Sequence, residues 1–188
     1  MNTLILARAS IAGLALVAVI GCGSGAPATS VPGTTSAPPS AAPATPAGGP
    51  STADGLCGVF TSDLAIAALG VPVDTPSGGD VVPRPNGIYC HYKAAADGNT
   101  NVEAQLKDMT QAEFEALADT LGATTPIQGV GSIAFGRSTS IMGIPGAAVA
   151  AWSNGRGVTV SINREGADQA VMTAAAQAIA AAVLLASP

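Results

Sequence analysis

The chain has 188 residues, of which only 10% are charged and 3% aromatic, with a formal net charge of −5. A mildly acidic chain without a basic cluster is a poor partner for nucleic acid or for anionic lipid headgroups. Setting aside about 53 N-terminal residues that read as targeting and linker sequence leaves about 135, a common size for a single core.

Residues 1–21 predict a signal peptide. A short start carries Arg8, and an apolar stretch runs from Ile11 to Ile20. It falls short of the roughly 20 residues that span a bilayer but suits a signal-peptide core. It ends in Val19-Ile20-Gly21-Cys22, which resembles the lipobox of bacterial lipoprotein precursors. Gly21 leaves room for a processing peptidase at the scissile bond. Cys22 supplies the thiol that takes a diacylglyceryl group and becomes the new N-terminus. The alternative is a plain signal peptide with an incidental cysteine. Residues 22–53 predict a tether, because from Gly23 to Ala53 there is no charge and almost nothing apolar larger than valine. Seven of the chain's 14 prolines lie there, so the segment is expected to be disordered and semi-extended.

Residues 54–188 form the expected domain. With Cys22 lipidated, Cys57 and Cys90 remain as an even pair in an oxidising compartment, which predicts a disulfide. A metal pair or a reactive thiol is the alternative. Metal is disfavoured because the only histidine, His91, follows Cys90 directly and alternates to the other side of a strand.

Thr61-Ser62-Asp63 marks a helix start and Gly70 its end, with Cys57 just before it. The Pro- and Gly-rich residues 71–87 predict a loop. Ile88 to Lys93 has strand composition, Asp97-Gly98 signals a turn, and Val102, Ala104 and Leu106 alternate with polar residues as a half-buried strand. Thr110-Gln111-Ala112-Glu113 is a capping box, with Met109 and Phe114 placed as a hydrophobic staple. Phe114, Leu117 and Leu121 share one side of that helix, and Gly122 ends it. A short strand is expected around Ile133 to Arg137, with residues 138–146 as a loop. Asn154-Gly155 predicts a type I′ hairpin. In that register Ala147, Val149 and Ala151 share a face with Val158, Val160 and Ile162, and Trp152 stands opposite Gly157. A final helix runs from about Gly166 to Ala186, with Gln169, Thr173 and Gln177 as a polar stripe and Val171, Ile179 and Val183 on another side. Its apolar run is about 16 residues, contains Gln177 and is mostly alanine, which argues against a membrane span. These elements predict an α+β fold: a small antiparallel sheet of two hairpins packed against about three helices, with one disulfide.

Cys57-Gly58-Val59-Phe60-Thr61, Cys90-His91-Tyr92, Val130-Gly131-Ser132-Ile133-Ala134 and Val158-Thr159-Val160 resemble the actinobacterial, chiefly mycobacterial, lipoproteins of unknown function with a two-cysteine α+β domain. In such proteins an aromatic residue often follows the second cysteine directly; here His91 intervenes before Tyr92. The resemblance implies an exported, membrane-anchored domain with one disulfide. It carries no activity and no functional residues.

No constellation for catalysis stands out. A histidine-based triad has only His91 to build on. Glu113 already has a capping role, and no cluster has metal-ligand or cofactor spacing. The expectation is a non-enzymatic envelope module at the outer face of the cell membrane. It is held there by its lipid and binds an envelope protein, a glycan or a lipid. A carrier of a small apolar ligand is the alternative, and its expected contacts are Phe135, Ile141, Met142, Ile144 and Trp152, with Ile133 beside them. An envelope enzyme using His91 is the further alternative.

Overall fold

The computed structural model describes residues 48–81, 87–122 and 124–187. The expected leader 1–21, the lipidation candidate Cys22 and the tether up to residue 47 lie outside the described residues. The described elements in chain order are α1 (Ala53–Val59), α2 (Ser62–Leu69), β1 (Ser77–Asp80), β2 (Gly87–Ala94), β3 (Asp97–Asp108), α3 (Gln111–Leu121), β4 (Thr125–Pro126), β5 (Ile133–Ile141), β6 (Ile144–Ser153), β7 (Arg156–Asn163) and α4 (Gln169–Leu185). The strands form one antiparallel sheet in the order β1-β2-β3-β7-β6-β5-β4. The fold is α+β, and Cys57 and Cys90 are joined.

The β6–β7 hairpin has the expected register, with Trp152 opposite Gly157 and Ala151 opposite Val158. Asn154 and Gly155 take φ of 50° and 83° in its turn, the pair of left-handed residues that a type I′ turn needs. Alternation then puts Ala147, Val149 and Ala151 on one face with Val158, Val160 and Ile162. The pairing of β7 with β3 extends that face through Val102, Ala104 and Leu106, and all nine are buried. α4 lies on this face through Met172, Ala176, Ile179, Ala180 and Val183. The alanines on both partners bring helix and sheet close. Asp168 caps α4, its carboxylate accepting from the backbone N–H of Ala170 and Val171. α1 and α2 cover the β2 end of the same face with Leu56, Phe60 and Leu69. The Phe60 ring meets Tyr92 edge-on at 5.0 Å. The disulfide ties α1 to β2, with the two Cα atoms 5.3 Å apart.

Several expectations are corrected. Residues 71–87 are not simply a loop: Val73 bridges to Ala94, and β1, reading Ser-Gly-Gly-Asp, is an edge strand on β2. A side chain at Gly78 would sit 2.9 Å from the Tyr89 carbonyl and 3.0 Å from the Ala53 methyl. The glycine that hides the strand in the sequence is what lets α1 lie against it. Cys57 lies within an additional helix, α1, not ahead of the first one. The β2–β3 turn falls at Ala95-Ala96, not at Asp97-Gly98. Asp97 instead organises a bulge, accepting from the Asn99 amide and the Thr100 hydroxyl. Residues 138–146 are not a loop either: β5 and β6 continue to a two-residue turn at Met142-Gly143. Val171 is 58% exposed and does not share the buried side of Ile179 and Val183. Eight residues along a helix leave it about 80° away from Ile179.

The packing also reaches back into the expected tether. Thr52 caps α1 through the Gly55 amide, Arg156 donates to the Pro50 carbonyl at 2.9 Å, and Gly49 lies against Ser187. Both ends of the described chain therefore sit at the pole that carries the Asn154-Gly155 turn. The Met142-Gly143 turn is at the other pole, because β6 runs between them.

Candidate ligand groove

The second face of the sheet is covered unevenly. β3 runs into α3 with only Met109 and Thr110 between, so the helix folds back over the strands it has just left. The capping box forms in full: the Thr110 hydroxyl accepts from the Glu113 amide, and the Glu113 carboxylate accepts from the Thr110 amide at 2.8 Å. α3 covers one end of the face by packing Phe114 on Phe135 and Ala150, with ring centroids 5.1 Å apart. Two hydrogen bonds pin its ends. Trp152 Nε1 donates to the Met109 carbonyl at 2.9 Å, and Arg137 Nη1 donates to the Leu121 carbonyl at 2.9 Å.

Between α3 and the strands β3 and β7 a groove of about 210 Å3 remains. Met109, Phe114, Leu117 and Leu121 form its apolar wall. Gln105, Lys107, Gly157 and Thr159 form its floor, and Val81 its far lip. A Cβ at Gly157 would come within 2.5 Å of the Met109 sulfur, so this wall depends on glycine in the floor.

A model of the DUF3558 family, described as a protein of unknown function, matches residues 17–185. The chain belongs to the DUF3558 family. No curated protein and no solved structure matches it.

Within this DUF3558 domain the residues expected to contact a ligand divide into two groups. Phe135, Trp152 and Ile133 belong to the cluster under α3. Ile141 and Met142 are exposed at the far turn, with Ile144 partly buried opposite Ile141. The eight steps of β5 from Ile133 to Ile141 separate the groups by about 25 Å. The groove itself is lined by residues that the sequence marks as a helix core side and as the polar side of two strands. Strand alternation places Gln105, Lys107 and Thr159 on the same face as Trp152, and that was the available signal.

On the β1 side of the groove this face is polar. Ser77, His91, Glu103 and Ser161 form one lateral row across β1, β2, β3 and β7. Burial lowers the His91 pKa below its usual 6.5, and the neighbouring Glu103 carboxylate opposes that shift. Glu103 Oε1 is engaged along its own strand, accepting from Gln105 at 2.7 Å. Ser77 lies exposed on the edge strand. Among the described residues no three His, Cys, Asp or Glu side chains are grouped as metal ligands, and no helix is long and apolar enough to cross a membrane.

Proposed function

We propose that this DUF3558 chain is a lipid-anchored envelope lipoprotein whose domain binds a small apolar or amphiphilic ligand in the groove beside α3 and does no chemistry on it. The observation that carries the reading is the groove: an apolar wall on a helix whose two ends are pinned to the sheet by the Trp152 and Arg137 hydrogen bonds. At about 210 Å3 it is smaller than the roughly 300–1,000 Å3 pockets that take drug-sized molecules. Its size suits a short alkyl chain, and Lys107 in the floor suits an anionic head. Among the described residues its lining holds one ionisable group, Lys107, and His91 lies elsewhere on the face. That composition favours contact over proton transfer. The anchor and the envelope location are supported by the lipobox-like Val19–Cys22, which falls inside the family match from residue 17. The paired Cys57 and Cys90 support an oxidising compartment.

Trp152 is the only tryptophan and is bonded to the groove residue Met109, so its fluorescence reports on occupancy. Titration of the non-acylated chain with decanoate is expected to give a saturable change in Trp152 emission and a one-to-one complex in native mass spectrometry. Leu117→Lys is expected to abolish both while leaving the circular dichroism unchanged. A wild-type chain that binds no decanoate or other short-chain amphiphile would sink the reading.

A further inference from the structure

The two hairpin turns of β5–β6 and β6–β7 share one backbone and differ in chemistry. Asn154 and Gly155 take φ of 50° and 83°, and Met142 and Gly143 take 53° and 84°. Asparagine is at home in the left-handed region because its short amide bonds locally. Methionine gains nothing there and pays in backbone strain. Met142 is nevertheless 93% exposed, and its neighbour Ile141 is 55% exposed. Strain and exposure together serve no purpose inside the fold, so they point outward. The hairpin's own sequence agrees: from Ile133 to Ser153 it carries no carboxylate and one cation, Arg137, in a protein with 12 Asp and Glu. Arg164 borders it, its amide donating to the Pro145 carbonyl. Two exposed side chains and a half-buried Ile144 are far below the roughly 800 Å2 per partner of a stable protein interface. They suffice for a bilayer, which accepts apolar side chains without shape complementarity and adds to an existing anchor.

The chain outside the described residues permits this contact. Gly49 and Pro50, where the described chain begins, lie at the pole opposite the tip. The nine steps of β6 make the poles about 30 Å apart. Cys22 and Gly48 are separated by 25 residues, and a chain of that length spans roughly 28 Å as a flexible coil and roughly 78 Å fully extended. An anchored domain can therefore lean over and touch the membrane that holds it.

We infer that the tip formed by Ile141, Met142 and Ile144 is a second membrane contact, dipping into the apolar layer of the bilayer that carries the lipid on Cys22. The inference rests on the lipid anchor proposed above. With Cys22 acylated and Cys57 bonded to Cys90, Met142→Cys supplies a single free thiol. The acylated full chain, labelled there with an environment-sensitive fluorophore, is placed in phosphatidylcholine vesicles. A blue-shifted emission quenched by nitroxide lipids is expected, whereas the same label at Asn154→Cys stays aqueous. Adding Met142→Asn to a chain labelled at Ile141→Cys, a change this turn accommodates, is expected to return that label to its aqueous spectrum. An aqueous label at residue 142, as for a tip that seats in a protein, overturns the inference, and so does equal embedding at residues 142 and 154. Failure of the anchor itself shows separately, as a second labelled thiol at Cys22.

Discussion

His91 lies on the polar face of β2, opposite Glu103 on β3 and two residues from Lys93. Burial, the largest influence, disfavours its charged form. Glu103 and a bond to Asn101 pull the other way, and Lys93 adds to the burial effect. The net result is a folded-state pKa below the ordinary 6.5. The unfolded chain therefore binds the proton more readily between those two values. The contribution to stability is complete above the unfolded pKa and is lost as pH falls through 6.5 towards the lowered folded value. Urea denaturation is expected to show a midpoint that falls from about pH 7.5 to about pH 5.5, and His91→Gln is expected to flatten much of that fall. Asp97 and Glu113 do not interfere. Hydrogen bonds, chiefly from the Asn99 amide and the Thr110 amide, hold both carboxyls below their usual range. They stay ionised in folded and unfolded chains alike until the pH is lower still.

At the scale of elements, α3 determines whether the groove exists. Its start is fixed by the Thr110–Glu113 box and its seating by Phe114, which is fully buried. Thr110→Ala removes one half of the box and is expected to cost about 1 kcal/mol. Amide exchange should quicken in residues 111–116 and stay slow in β6 and β7, and decanoate affinity should fall because the first turn carries the groove wall. Uniform acceleration across the sheet would mean that α3 does not open on its own. This helix was legible in the sequence because capping chemistry is local, and β6–β7 was legible because alternation and the Asn154-Gly155 turn agree on one register. The unread elements lacked such agreement. β1 carries two glycines, Gly78 for close approach to α1 and Gly79 against the Tyr89 ring, and so shows no strand composition. The outer half of β5 is polar because its edge meets solvent, and Met142-Gly143 hides a turn that Asn-Gly would have announced. Of the groove, Phe114, Leu117 and Leu121 were visible as one side of a helix, while Val81 fell in a segment read as a loop. Their convergence was not visible, because Leu117, Thr159 and Val81 belong to three separate segments.

At the scale of the whole molecule, two covalent devices divide the work: a disulfide inside the domain and, on the reading proposed here, a lipid outside it. The Cys57–Cys90 bond spans 33 residues of sequence, for which the loop-entropy model gives about 4 kcal/mol. It secures α1, a helix of seven residues with a single buried side chain, Leu56. The joint replacement Cys57→Ser with Cys90→Ser is expected to lower the unfolding free energy by about that amount, measured by urea titration at neutral pH. The lipid should behave differently. Among the described residues the expected tether joins the packing through Thr52, Pro50 and Gly49. Cys22 lies about 25 residues further upstream in the sequence. Cys22→Ala is therefore expected to leave thermal stability, the Cys57–Cys90 bond and decanoate binding unchanged. It should move the protein out of the membrane fraction, as an unprocessed precursor or a non-lipidated chain. Intact-mass measurement of the wild-type N-terminus completes the test: the mature chain should begin at an acylated Cys22. A mature chain carrying a free, unmodified thiol at that position would remove the anchor, and with it the geometry that lets the Met142 tip reach its own membrane.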